Sequence, residues 1–155
     1  MTHTPEDLAG AVLTIDLVAL KSNWQRLDAR AGSAECGAAV KGNAYGMGLE
    51  PVARALWDVG CKDYFVARPK EGEDLRALLP EATIYVLDGL FPGQAEFYAV
   101  NRLRPALISL EEAQEWVAPG LHGVKVGFGK RGDARLGYEH DRDVEYMRRM
   151  REGLG

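Results

Sequence analysis

The chain has 155 residues, a formal net charge of −4, 46% hydrophobic and 27% charged residues, which suits one domain with its own core and argues against disorder. A mildly acidic chain without a long basic stripe is a poor binder of nucleic acid or anionic membrane, and its apolar runs fall well short of the ~20 residues a membrane helix needs. Cys36 and Cys61 form no C-x-x-C, and His3, His122 and His140 are scattered, so no metal site is expected and a reduced, cytoplasmic protein is the simple expectation.

In chain order, Met1 to Asp7 carries Glu6 and Asp7 with no early Lys or Arg, unlike the n-region of a secretory signal. Val12–Ile15 reads as a strand. Leu17, Leu20, Trp24 and Leu27 recur at helical spacing behind Asp16, a good N-cap, and Gly32 is the stop. Cys36–Val40 is a short apolar strand. Val52, Leu56 and Val59 mark the next helix, with Gly60 just past its end. Tyr64–Ala67 is a strand, and Pro69 opens a helix whose apolar face is Leu75, Leu78 and Leu79 before Pro80. Thr83–Leu87 is a strand and Gly93 to Asn101 a helical stretch. Ala106–Ile108 is a strand, followed by a capping box of Ser109 and Glu112. Val124–Phe128 is the last strand and Arg142–Arg151 the last helix.

Strands alternating with helices predict a parallel sheet in an α/β fold. The nearly pure apolar strands fit a sheet covered on both faces. Five strands suit a complete doubly wound sheet and equally the first five strands of a (β/α)8 barrel, which typically needs ~250 residues. Composition does not choose between them.

The most informative segment is Ala38-Ala39-Val40-Lys41-Gly42-Asn43-Ala44-Tyr45-Gly46-Met47-Gly48. An apolar strand ends in a lysine, and a glycine-rich loop then opens a helix. Ligand sites of α/β folds gather at the C-terminal ends of strands. A lysine emerging there from apolar surroundings is the right group for a Schiff base. By spacing alone, a solvated strand-end lysine with turn-shaping glycines is the simpler account.

This segment resembles the pyridoxal-phosphate attachment motif of alanine racemases, A-V-V-K-A-[DN]-A-Y-G-H-G, with Gly42 for the usual Ala and Met47 for the common His. Thr14-Ile15-Asp16-Leu17-Val18-Ala19-Leu20 is similar to that family's opening segment, and Asn23 fits the helix that follows. Glu71-Gly72-Glu73-Asp74-Leu75-Arg76 is similar to its "E-G-x-x-L-R" helix, and Ile84-Tyr85-Val86-Leu87-Asp88-Gly89 to its third barrel strand. The match runs in order from residue 12 to about 118. The resemblance implies the N-terminal part of a (β/α)8 TIM barrel of the alanine racemase type, about five βα units over residues 1–155, without the family's C-terminal β domain.

The resemblance further implies interconversion of L- and D-alanine with pyridoxal 5'-phosphate. Lys41 would hold the cofactor as an internal aldimine and act as one of two bases. Tyr45 would hydrogen-bond the phosphate, and Leu87 would pack near the ring. Arg135, in Arg135-Leu136-Gly137, matches the family's "R-L-G" and would bind the cofactor's phenolic-oxygen side and the substrate carboxylate, which suits its planar fork. Lys125 stands where many members carry a carbamylated lysine. The segment from Val124 to Gly137 departs from the family pattern, because Lys125 and Arg135 are three positions further apart and the D-T-G-M core is missing. The second base, a tyrosine from a partner subunit, lies outside these residues, and the family enzyme is a homodimer. The chain alone is therefore expected to racemise alanine poorly or not at all.

Gly127-x-Gly129-x-x-Gly132 with Glu152 matches the dinucleotide fingerprint on spacing alone. No helix opens there, and Glu152 ends a helix instead of a strand, so that reading is rejected. Met147 and Met150 are expected to face the core, and Arg148-Arg149-x-Arg151-Glu152 is a solvated helix face. Two other classes remain: a non-catalytic pyridoxal-phosphate carrier and a cofactor-free α/β domain. Serine or another small amino acid is the alternative substrate.

Overall fold

The computed structural model describes residues 9–107, 125–126 and 140–154. Asp16 caps the first helix, α1 (Leu17–Ala31), its carboxylate accepting from the Val18 and Ala19 N–H groups at 2.9 Å each. Gly32 ends it at φ 66°. Strand β1 (Ala38–Ala39) leads into a tight turn, Lys41–Tyr45. Then come α2 (Leu49–Asp58), β2 (Asp63–Val66), α3 (Pro69–Leu78), β3 (Thr83–Val86), α4 (Ala95–Val100) and β4 (Leu103–Leu107). Strand β5 (Lys125–Val126) and helix α5 (His140–Leu154) complete the described elements.

The five strands form one sheet in the order β1-β2-β3-β4-β5, every neighbouring pair parallel. Sequential parallel strands joined by helices are how a (β/α)8 barrel winds, whereas a doubly wound sheet reverses its order at a switch point. The register shows how the two faces divide. Ala38, Tyr64, Ile84 and Leu103 stand in one row across β1 to β4 and are all buried, as are Val40, Val66 and Val86 beyond them. These side chains meet the helices. Leu75 and Leu79 of the α3 segment, Val52 and Leu56 of α2, and Tyr98 of α4 complete that core. Gly72 is placed by close packing: a Cβ there would come within 2.9 Å of the Leu103 side chain, so only glycine lets α3 lie this near β4.

The opposite row, Ala39, Phe65, Tyr85 and Arg104, is more exposed. The Phe65 and Tyr85 rings stack at 4.9 Å with planes 15° apart, and the Arg104 guanidinium donates to the Tyr85 hydroxyl at 3.0 Å. Near its N-terminal edge, burial first, then the neighbouring Glu35 carboxylate, raises the Asp63 carboxyl above its ordinary value, with Arg104 opposing. A carboxyl raised on folding resists ionisation in the native state, so its penalty is absent below its unfolded value and sets in as pH rises through it. Asp63→Asn is therefore expected to stabilise the fold at pH 7, slightly because solvent screens this partly exposed carboxyl, and to have less effect near pH 3. Urea unfolding at both pH values measures it, and a destabilisation at pH 7 contradicts it.

Three local expectations are corrected. Val12–Ile15 forms no strand: among the described residues no strand pairs with it, and Val12 and Leu13 are exposed. Leu27 is 58% exposed, since α1 turns Trp24, and not Leu27, into the core. Met147 lies on an exposed face of α5. The Ser109 and Glu112 capping box, the Gly127 to Gly132 stretch and the Met150 side chain lie outside the described residues.

Candidate active site

Lys41 sits where β1 ends, and the backbone after it takes an unusual path. Gly42, Asn43, Ala44 and Tyr45 have φ of 62°, 54°, 53° and 54°, a left-handed turn of four successive residues. Only glycine enters this region freely, and each other L-residue there costs about 1–2 kcal/mol. Asn is the best tolerated of the rest, and Asn43 has a second use. Its side-chain oxygen accepts from the Leu49 N–H at 2.7 Å, capping α2. Ala44 is wholly buried and donates its N–H to Val40 at 2.8 Å. Gly46 (φ 85°) and Gly48 (φ 97°) then release the chain into α2. The glycine pattern seen in the sequence thus encodes a left-handed turn and a helix start.

The turn presents Lys41, half-buried, and Tyr45, 63% exposed, at the C-terminal edge of the sheet. Extending the β2–β3 register by one residue pairs Ala67 with Leu87, and the Leu87 N–H donates to Val66 at 2.9 Å. Ala39, Phe65 and Tyr85 share a face, and alternation carries that face on to Lys41, Ala67 and Leu87. At ~4.8 Å between strands, the Lys41 and Leu87 backbones lie roughly 10 Å apart across it. The structure therefore brings Lys41, Tyr45 and Leu87 to one end of the sheet. Lys125 stands in β5, opposite Ala106 of β4. Arg135 lies outside the described residues.

Three other lysines are engaged. Lys21 pairs with Asp58 at 3.3 Å, Lys62 lies 3.5 Å above the Trp57 ring, and Lys70 bridges Glu73 and Asp74. Lys41 has no carboxylate within ion-pair distance among the described residues. A surface groove between α3 and α4, lined by Arg68, Phe91, Phe97 and Val100, contains neither Lys41 nor Tyr45. Among the described residues no group of His, Cys, Asp or Glu could hold a metal ion, and no helix is long and apolar enough to cross a membrane.

Two side chains that support the turn have no assigned role in the sequence reading. Glu71 accepts from Gly42, Ala67 and Arg68 N–H groups at 2.8, 2.7 and 3.2 Å. Its sequence signal was the position two residues after Pro69, where a first-turn glutamate folds back to cap its helix. Asn43 was hidden in the motif, its capping reach set by the turn alone. Cys61 does not join the site: it is fully buried, and burial pushes its thiol up to about 11, which keeps it an unreactive thiol.

A parallel sheet wound in sequential order, with a lysine free of ion pairs among the described residues on a glycine-shaped turn at its C-terminal edge, defines a domain of the barrel type. The family model "Alanine racemase, N-terminal domain" matches residues 15–152. The chain belongs to that family. The alanine racemase of Methylobacterium sp. (strain 4-46) is 53% identical over 109 residues, covering 70% of this chain and 30% of the relative. The biosynthetic alanine racemase of Pseudomonas aeruginosa superposes with a TM-score of 0.67 at 31% identity, over 91% of this chain and 40% of that one. The alanine racemase of Bartonella henselae, solved with covalently bound pyridoxal phosphate, gives 0.63 at 37% identity over 66% and 30%. The fold is thus the (β/α)8 barrel type of these enzymes, and the chain spans about 30% of the length of the curated relatives it matches.

Proposed function

We propose that residues 1–155 are the N-terminal, cofactor-binding part of the barrel of an alanine racemase that uses pyridoxal 5'-phosphate. The observation that carries this reading is Lys41, unpaired among the described residues, on the left-handed turn at the C-terminal end of β1. The residues present fit the group. A Cβ at Gly42 or Gly46 would meet nothing within 4 Å, so the turn is open to a ligand. Tyr45 is exposed beside it, and Leu87 offers an apolar surface on the same face.

Lys41 would hold the cofactor through its Nζ, with the Tyr45 hydroxyl donating to the phosphate and Leu87 packing against the ring. Arg135 would bind the substrate carboxylate with its planar fork. When bound, the cofactor supplies the electron sink that stabilises negative charge at the amino-acid Cα. Lys41 Nζ removes or returns the Cα proton on its own face, and inversion needs a second base on the opposite face. That base belongs to a partner subunit in this reading, which makes the working protein a homodimer. The product, D-alanine, would serve peptidoglycan synthesis in the cytoplasm.

The test is conversion of each alanine enantiomer into the other by the whole protein with added pyridoxal phosphate, read by chiral chromatography. Racemisation of alanine in preference to serine is the expected result. Turnover of serine alone refutes the substrate assignment. No turnover of either, by folded protein retaining pyridoxal phosphate on Lys41, refutes the racemase reading.

A further inference from the structure

Glu71 reaches the Lys41 turn from another element. It stands in the first turn of α3, half-buried. One carboxylate oxygen, Oε2, accepts from the Ala67 and Arg68 N–H groups at 2.7 and 3.2 Å, the usual fold-back that caps a helix. The other, Oε1, accepts from the Gly42 N–H at 2.8 Å, across 29 positions of sequence. Capping does not need that third bond. Gly42 directly follows Lys41 and is the first of the four left-handed residues. Its N–H is therefore the hinge point at which the strand direction of β1 changes into the turn.

The remaining bonds of the turn are local. Ala44 donates to Val40, Gly46 to Gly42 and Asn43, and Gly48 to Asn43. They fix the turn's shape. Against β2 the chain is held up to Val40, whose N–H donates to Phe65 at 2.9 Å, and past Lys41 the Glu71 carboxylate continues the tie, because it grips the end of β2 and the start of the turn at once. A hydrogen bond to an ionised acceptor is stronger than a neutral one. We propose that Glu71 is a positioning residue for the lysine chemistry: it holds the Gly42 N–H and so fixes the backbone from which Lys41 presents its amine. The inference rests on the assignment of Lys41 as the attachment residue.

The experiment compares wild type, Glu71→Ala and Glu71→Gln in the purified protein, with folding monitored by circular dichroism. Two quantities are read: amide hydrogen exchange in peptides covering residues 41–46, 67–72 and 83–87, and the rate at which pyridoxal phosphate is trapped on Lys41 by borohydride. In Glu71→Ala, exchange in 41–46 is expected to rise about tenfold and trapping at Lys41 to slow by a similar factor, with 83–87 unchanged. Glu71→Gln keeps one carbonyl acceptor, and roughly a threefold change is expected. If Glu71→Ala fails to fold, Glu71→Gln decides: wild-type exchange in 41–46 and wild-type trapping overturn the proposal. Faster exchange confined to 67–72, with trapping unchanged, also overturns it and leaves Glu71 a helix cap. Absence of trapping on wild-type Lys41 refutes the cofactor assignment, and exchange in 41–46 then decides the role of Glu71 alone.

Discussion

On the proposed function, Lys41→Ala is expected to abolish covalent retention of pyridoxal phosphate and to lower alanine racemisation by the whole protein at least about a thousandfold, since there it would remove an attachment group and a general base together. Peptide mapping after borohydride reduction should place the label on Lys41 in wild type and on no residue in the variant. The surroundings of the lysines whose side chains are described favour Lys41. Lys21, Lys62 and Lys70 are each held by a carboxylate or a ring, whereas Lys41 leaves β1 onto a turn whose glycines leave open space. A substituted side chain at 41 does not disturb that turn, because the left-handed conformation starts at Gly42 and is held by backbone bonds and Glu71. The loss should therefore come with unchanged circular dichroism and unchanged unfolding. A variant that still carries the label elsewhere and keeps substantial turnover would move the chemistry away from β1.

Much of this was legible in the residues. The alternation of strand and helix gave the parallel sheet, and the caps at Asp16, Gly32, Gly60 and Pro69 gave boundaries within a few positions. These signals are local, so they survive without knowledge of tertiary contacts. The barrel-type order was legible only through the family resemblance, because by local pattern a doubly wound sheet starts from the same βα units and differs only in which strands become neighbours. Val12–Ile15 misled for the same reason. An apolar β-branched run is a strand only if another strand pairs with it, and none does among the described residues.

The site divides in the same way. The A-V-K-G-N-A-Y-G-M-G motif pointed to Lys41 and Tyr45, but as a glycine-rich loop; that Asn43, Ala44 and Tyr45 would also be left-handed required the packing that buries Ala44. The E-G-x-x-L-R segment was legible as a resemblance and silent as to cause. The structure supplies one cause per residue: Glu71 ties the lysine turn to β2, Gly72 admits Leu103, Leu75 fills the core, and Arg76 gathers the loops behind the sheet. The helix is thus a strut between the lysine turn at the C-terminal edge and the loops at the opposite edge. Each of its four functions depends on a partner 25 or more positions away or on close approach, which no local pattern records.

Arg76→Met is expected to destabilise the fold by about 3 kcal/mol, close to the largest effect for a single residue remote from the site. The guanidinium donates to five backbone carbonyls: Asn101 at 2.9 Å, Leu79 at 3.5 Å, Pro80 at 2.8 Å, Ala82 at 2.7 Å and Arg102 at 2.8 Å. These carbonyls belong to the loop leaving α3 and the loop entering β4; the Leu79 carbonyl also accepts from the Ala82 N–H and the Pro80 carbonyl from the Arg102 guanidinium. Arg102 is itself left-handed at φ 50°, so its bond also holds a strained residue. Burial, then the nearby Arg102 charge, pulls the Arg76 guanidinium below its ordinary value, yet the group stays charged at any working pH. Methionine keeps the aliphatic packing and removes every donor, leaving several half-buried carbonyls to find water or go unpaired. Not every carbonyl is sealed from solvent, which is why the expected loss is well below the sum of five isolated bonds. For a chain of this size it corresponds to a fall of roughly 6–12 °C in Tm. Arg76→Lys keeps the charge but only one donor centre, and is expected to recover less than half of the loss, because a single ammonium does not span both loops. Urea unfolding of the three proteins measures this. An Arg76→Met variant within 1 kcal/mol of wild type would mean that water replaces the guanidinium at little cost, and that the two loops are held by the packing of Leu79 and Leu103 instead.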